Sequence, residues 1–365
     1  MKPKIHIIVG ARPNFIKAHP VYQSLNQLNK FKLKLVNTGQ HYDQNMSDIF
    51  IQELGMRKPD IDLEVGSGLH GEQTGKILSL YEQVLIKEKP NLVIVFGDVN
   101  STIACSLAAV KLDIPIAHVE AGLRSFDWKM PEEINRVLTD RLSTFLFTTS
   151  PEAKDNLINE GISTKKIHFV GNTMIDSLIE FKDKFDKSNI RKLLDIHGDY
   201  ALITLHRPSN VDDNNNLKRL INSIQNISKT IPCIFPIHPR TKNKLQSTKI
   251  YNNLINNKDI KLIDPLGYID FMCLQMNART VLTDSGGIQE ESTFFGVPCI
   301  TVRENTERPI TISKGSNKLI GTKYEKIPKE VEIIINNKSD EYSIPTLWDG
   351  KSADRICKVL ESYYF

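Results

Sequence analysis

Lys4-Ile5-His6-Ile7-Ile8-Val9-Gly10-Ala11-Arg12-Pro13-Asn14-Phe15-Ile16-Lys17 begins with a β-branched run, turns at a glycine and continues into a proline-led amphipathic stretch. It reads as strand, tight turn and helix, with the proline at the helix start, where its missing N–H costs nothing. The same alternation recurs outward from this segment. Strands are predicted at Leu33 to Asn37, Leu92 to Phe96, Ile114 to His118, Thr144 to Thr148 and Ile167 to Val170, with helical patterns between them. That is the signature of a parallel sheet covered by helices on both faces. After Gly171 comes a Lys, Asp and Asn-rich helical stretch, and the alternation restarts at Ala201 to Leu205, Cys233 to Ile237, Ile260 to Ile263, Thr280 to Thr283 and Pro298 to Val302. The chain therefore divides into two α/β domains of Rossmann type, residues 1–172 and 173–351, followed by a last helix within residues 352–365 that could pack on either.

The bulk composition agrees with two ordinary cores: 365 residues, 40% apolar and 25% charged. A net charge of +4 from 47 basic and 43 acidic side chains, spread without a basic stripe, argues against a nucleic-acid partner. The cysteines Cys105, Cys233, Cys273, Cys299 and Cys357 are far apart and mostly inside apolar runs. They read as buried thiols in a reducing compartment, with no CxxC pair for zinc or redox work. The first apolar run is too short for a signal peptide, and no segment reaches the roughly 20 apolar residues of a membrane span. A soluble cytoplasmic protein that does not engage membranes is the expectation.

In open parallel sheets ligands bind beyond the carboxyl ends of the strands, so the residues there carry the functional reading. Arg12 and Lys17 stand at the mouth of the first helix, where free N–H groups and the macrodipole favour a phosphate, although the glycine spacing matches neither common nucleotide motif. In Thr283-Asp284-Ser285-Gly286-Gly287-Ile288-Gln289-Glu290-Glu291, Ser285, Gly286 and Gly287 can form a nest for a diphosphate, with Glu291 one turn on to hold ribose hydroxyls. The plainer alternative makes Ser285 a helix cap. Asp98, Glu120, Glu132, Glu133, His206 and His238 also fall at strand or helix ends. Singly, Asp98 could cap the next helix and Glu120 could pair with Arg124. Gathered on one rim, such carboxylates spread their pKa values and supply acid and base partners. His118 with Glu120, or His206 with His238, lacks a third ligand at a known spacing, so no metal site is expected.

These segments closely resemble the non-hydrolysing UDP-N-acetylglucosamine 2-epimerases nearly end to end. The likeness is carried, in order, by GARPNFIK, NTGQHYDQNM, FGDVNST, HVEAGLRSFDWKMPEEINR, GNTMID, LHRPSN, PIHPR, TDSGGIQEE, ENTERP and WDGKSADRI. The resemblance implies a glycosyltransferase-B-like architecture with a ligand cleft between the domains, the nucleotide mainly on the second domain and the C-terminal helix returned to the first. It implies a homodimer, a UDP-sugar as partner, no cofactor, and C2 epimerisation by elimination of UDP and its re-addition. Asp98, Glu120, Glu132 and His206 are then the acid, base or charge-stabilising residues. Arg12, Lys17, His238, Ser285, Gly286, Gly287, Glu291 and Arg308 are the UDP contacts. Asn14, Val99 and Ile310 depart from the family pattern. Gln40 and His41 occupy the stretch through which bacterial members bind a second UDP-GlcNAc as activator. Here it reads Gln40-His41-Tyr42-Asp43, and Pro208 follows Arg207, so weak or absent substrate activation is expected. Rival readings keep the mechanism but change the sugar, to a 2,3-diacetamido uronate or a 6-deoxy sugar, or make the chain a glycosyltransferase of the same fold.

Overall fold

Runs of Ile, Val, Leu and Phe buried on both sides form the strands, as helix-covered parallel sheets require. In the computed structural model, which describes residues 2–40, 55, 57–246, 248–337 and 342–365, two such sheets are present. The first has seven parallel strands, β1 (Lys4–Val9), β2 (Lys32–Asn37), β3 (Ile61–Asp62), β4 (Leu92–Phe96), β5 (Ile116–Ala121), β6 (Phe145–Thr148) and β7 (Ile167–Phe169), in the order β3-β2-β1-β4-β5-β6-β7. The second has six, β8 (Ala201–Thr204), β9 (Cys233–Pro236), β10 (Ile260–Ile263), β11 (Thr280–Thr283), β12 (Cys299–Thr301) and β13 (Asn317–Leu319), in the order β10-β9-β8-β11-β12-β13. Both are doubly wound, and their strand order reverses between β1 and β4 and between β8 and β11. Crevices beyond the carboxyl ends of those pairs are where such sheets bind ligands.

The chain forms two compact units, Met1–Phe181 with Thr346–Phe365, and Lys182–Pro345. The division falls inside the helix Thr173–Asp186, whose first turns are tied to the first unit: Ser177 Oγ donates to the Ile16 carbonyl at 2.7 Å, and Phe181 packs on His19. The C-terminal helix Ser352–Tyr364 also belongs to the first unit. Asp176 accepts hydrogen bonds from the Ser352 and Ala353 amides at 3.2 and 2.7 Å, capping that helix, and Trp348 Nε1 donates to the Thr149 carbonyl at 3.0 Å.

Three of the first unit's helices, Arg12–Leu28, Pro131–Leu142 and Pro151–Asn159, start on a proline in their first turn, as the sequence suggests. Strand ends shift by one to three residues. The largest shift extends β5 to Ala121, so that Glu120 lies within the strand rather than past its end. The polar runs near 212–216 and 252–258 are partly helical: the helix Asn214–Ile227 begins on an Asp213 cap, and Lys249–Ile255 is a short helix over the second core. All five cysteines are buried, and burial pushes the Cys233, Cys299 and Cys357 thiols up to about 12. No helix among the described residues is long and apolar enough to cross a membrane.

Candidate active site

In the first unit the crevice between β1 and β4 receives side chains from the helix Arg12–Leu28, from the β4 turn and from β5. Asn14 fixes the helix start: its Oδ1 accepts from the Ala11 amide at 3.1 Å, and its Nδ2 donates to the Phe96 carbonyl at 3.0 Å. One turn on, Lys17 forms a buried ion pair with Glu120. Gly97, at φ +60, sits beside this pair; a side chain there would come within 3.5 Å of Lys17 Nζ and 3.6 Å of Glu120 Oε2. Glu120 has φ 76, a left-handed conformation rare for a non-glycine residue, at a point where the β5–β6 register shifts between Val119 and Ala121. Such backbone costs about 1–3 kcal/mol and persists where surrounding structure over-determines it. Arg124, the partner that the plainer alternative gives Glu120, pairs with Asp140 at 2.7 Å and with Glu160 at 2.7 Å.

The N-cap of the following helix is Val99 rather than Asp98. The Asp98 carboxylate is held by Arg136, with Nε at 3.1 Å, and the residue keeps 22% of its side chain exposed. Arg136 also binds Glu133 at 2.6 Å. Glu133 is fully buried and accepts from the Ser125 amide and hydroxyl, both at 2.9 Å, and from the Phe126 amide at 2.8 Å. Of the two adjacent glutamates, Glu133 therefore braces a loop, and Glu132 remains the one with partial exposure in the helix's first turn. Arg12 is likewise half-buried. Gln40 Oε1 accepts from the Ser101 amide at 3.0 Å and hydroxyl at 2.7 Å, bracing the helix Asn100–Val110. His41 lies outside the described residues.

His118, weighed as a metal ligand beside Glu120, has both ring nitrogens committed to protein oxygens, Asp140 at 2.7 Å and the Gly97 carbonyl at 2.8 Å. Among the described residues no group of three or more His, Cys, Asp or Glu side chains could hold a metal.

In the second unit the crevice between β8 and β11 is organised by Asp284. This fully buried carboxylate accepts from the His206 amide at 3.1 Å, the Arg207 amide at 2.9 Å and Asn210 Nδ2 at 3.1 Å, and lies 2.9 Å from His206 Nδ1. Burial alone would raise its pKa, but the hydrogen bonds and charge of this set prevail and hold it below the usual carboxylate range. With Nδ1 donating to Asp284, the other ring nitrogen of the 37%-exposed His206 can accept a proton or bind an acceptor. The His238 ring lies 5.5 Å away, centroid to centroid.

Ser285 begins the helix Gly286–Phe295 but its side chain makes no cap, so the capping alternative is not what the structure shows. The first N–H groups of that helix lack intrahelical partners. A Cβ at Gly286 would fall 2.5 Å from Arg308 NH1 and 2.7 Å from Glu307 Oε1, so any side chain there displaces the ends of this buried ion pair. Arg308 pairs with Glu290 at 2.9 Å and with Glu307, and Arg303 pairs with Glu307 at 2.7 Å. Gly287 and the buried Glu291 lie on the same first turns. A guanidinium beside a helix N-terminus suits a phosphate-bearing ligand.

The family model described as UDP-N-acetylglucosamine 2-epimerase matches residues 23–361. The chain belongs to this epimerase family. The UDP-N-acetylglucosamine 2-epimerase of Methanocaldococcus jannaschii is 47% identical over 98% of both chains. A crystal structure of the M. jannaschii UDP-GlcNAc 2-epimerase in complex with UDP-GlcNAc and UDP superposes with TM-score 0.92 at 47% identity, covering 98% of this chain and 99% of that one. The UDP-2,3-diacetamido-2,3-dideoxy-D-glucuronate 2-epimerase of Pseudomonas aeruginosa is 43% identical over 98% of this chain and 99% of its own. In this member of the epimerase family the glycosyltransferase-B-like pair of parallel-sheet units is thus the family's own fold. Sequence reading missed Arg136, Asp140, Asp284 and Glu307 as organisers of the sites. Asp284 and Glu307 lie inside motifs already singled out, TDSGG and ENTERP, so their position was legible even though their partners were not.

Proposed function

We propose that the chain interconverts UDP-GlcNAc and UDP-ManNAc without hydrolysis. The reading is carried by the 47% identity over 98% of the chain to an epimerase whose structure holds UDP-GlcNAc and UDP. It is supported by the chemistry gathered at the two switch points. C2 of the sugar has no neighbouring carbonyl, so a bare carbanion there would be unstabilised. The route is elimination: a base takes the C2 proton, a double bond forms between C1 and C2, and the C1–O electrons leave with UDP. Return of UDP to C1 of the 2-acetamidoglucal, with a proton delivered to the other face of C2, completes epimerisation.

Asp98, Glu120, Glu132 and His206 are the residues assigned to proton transfer and charge stabilisation around the sugar. Arg12, Lys17, His238, Ser285, Gly286, Gly287, Glu291 and Arg308 are assigned to UDP, where cationic and backbone donors stabilise the departing diphosphate. The pairing of Lys17 with Glu120 gives Lys17 a second duty, orienting that carboxylate. The working form is assigned as a cytoplasmic homodimer; sedimentation of the purified protein tests the dimer.

A second reading, C2 epimerisation of a 2,3-diacetamido uronate, is favoured by the 43% identity to the P. aeruginosa enzyme. Product analysis separates the two. UDP-GlcNAc and the UDP-diacetamido uronate are incubated separately with the enzyme and the C2 epimers resolved by chromatography. UDP-ManNAc from the first supports the proposal, and turnover of the uronate alone replaces it with the second reading.

A further inference from the structure

Beneath the first unit's crevice lies a buried charged chain that the proposed reaction does not use directly. His118, on β5, and Asp140, on the helix Pro131–Leu142, are both almost wholly buried. His118 Nδ1 is 2.7 Å from Asp140 Oδ1, and Nε2 is 2.8 Å from the Gly97 carbonyl oxygen. A carbonyl oxygen and a carboxylate can only accept, so each ring nitrogen donates and the ring carries two N–H groups. The charges around it balance. Arg124 NH1 reaches the other Asp140 oxygen at 2.7 Å, while Arg124 Nε and NH2 reach Glu160 at 2.7 and 2.8 Å. Two cations and two carboxylates are thereby interleaved, which a buried ionic group needs if it is to remain charged.

The geometry gives this chain a task. Asp140 Oδ2 also accepts from the Gly122 amide at 3.1 Å. One carboxylate therefore grips the chain at two points that bracket Glu120, through His118 within β5 before it and Gly122, just past the end of β5, after it. The same imidazole ring pins the Gly97 carbonyl, the peptide that leads into Asp98. Glu120 sits between the grips with φ 76 at the register shift of β5 against β6, the kind of backbone that does not persist unless neighbours enforce it.

We propose that His118 and Asp140 are positioning residues for the epimerase reaction: a doubly donating imidazole and its carboxylate hold the Glu120 bulge and the Gly97–Asp98 turn in one fixed geometry. This rests on the epimerase reading of the site, and neither side chain is assigned contact with the sugar.

The test has two independent parts on the full-length protein. Nitrogen-15 NMR of the histidine rings in the wild-type enzyme near neutral pH decides the chemistry of the chain without any substrate: two N–H groups on His118 are expected, and a ring with one bare nitrogen overturns the proposal. Kinetics then compare His118→Leu with His118→Gln, which keeps a donor for the Gly97 carbonyl. His118→Leu is expected to lower kcat about 100-fold, the scale of an ångström-sized misplacement. KM and UDP affinity stay within about threefold, and His118→Gln recovers roughly tenfold of the lost rate. A kcat within about threefold of wild type in His118→Leu, or no gain of Gln over Leu, overturns it. Should His118→Leu fail to fold, the NMR result and His118→Gln still decide. A wild-type enzyme that shows no epimerisation overturns the functional reading instead, and the ring spectrum then judges the charged chain by itself.

Discussion

Asp98 and Glu133 share Arg136, yet their situations differ: Glu133 spends both oxygens on a loop and is fully buried, whereas Asp98 keeps a partly exposed carboxylate at the end of β4. The assignment of Asp98 to the chemistry predicts that Asp98→Asn lowers kcat by about 10²–10⁴-fold, the usual worth of a positioned acid or base. UDP affinity, assigned to other side chains, should stay within about threefold by titration calorimetry. Normal turnover in this variant would remove Asp98 from the mechanism. At Gly286 the outcome is reversed. Gly286→Ala puts a methyl group 2.5 Å from the Arg308 guanidinium, so UDP should bind about tenfold or more weaker, 1.4 kcal/mol for each factor of ten. Unchanged UDP affinity would show that this turn does not meet the diphosphate.

At the level of elements, β1 carries a pH-sensitive residue in its interior. His6 is fully buried, with Nδ1 3.1 Å from the Tyr81 hydroxyl, and burial lowers its pKa to about 4 from an ordinary 6.5. Below pH 6.5 the unfolded chain takes up a proton that the folded chain refuses until about pH 4, so stability falls as pH drops through that window and then levels off. The size is about 3 kcal/mol at 1.36 kcal/mol per pKa unit. Denaturant unfolding at pH 6.5 and 4.5 should show the loss, and His6→Leu should flatten it; an equal loss in the variant would assign it elsewhere. Glu88, held down to about 2 by hydrogen bonds from Lys4 and Lys34, acts in the lower window, with stability lost as pH falls from 4.5 toward 2. The strands themselves were legible because β-branched runs buried on both faces leave a continuous apolar signal, as in Leu92–Phe96. Ile61–Asp62 and Asn317–Leu319 were not, being too short and too polar to register as runs. The extension of β5 through Glu120 was hidden for a related reason: a charged residue in a strand interior is tolerated here only through a bulge and a buried lysine partner.

Across the whole molecule, the sequence revealed which residues stand at strand ends, and the doubly wound order places those ends at β1/β4 and β8/β11. It did not reveal which charges pair, because a sequence carries no distance: Glu120 goes to Lys17 rather than Arg124, and Asp98 to Arg136 rather than to a helix cap. Family membership rests on likeness over nearly the full length rather than on any single motif. The roles of the individual side chains follow from it as proposals. All of them depend on proton transfer at C2 of a UDP-sugar. The decisive measurement is proton NMR of the purified protein with UDP-GlcNAc in heavy water and no added nicotinamide. The account predicts deuterium at C2 in both epimers, with UDP-ManNAc signals growing in as the C2 proton of UDP-GlcNAc disappears. An intact C2 proton and no UDP-ManNAc, from protein shown to bind UDP, would contradict it.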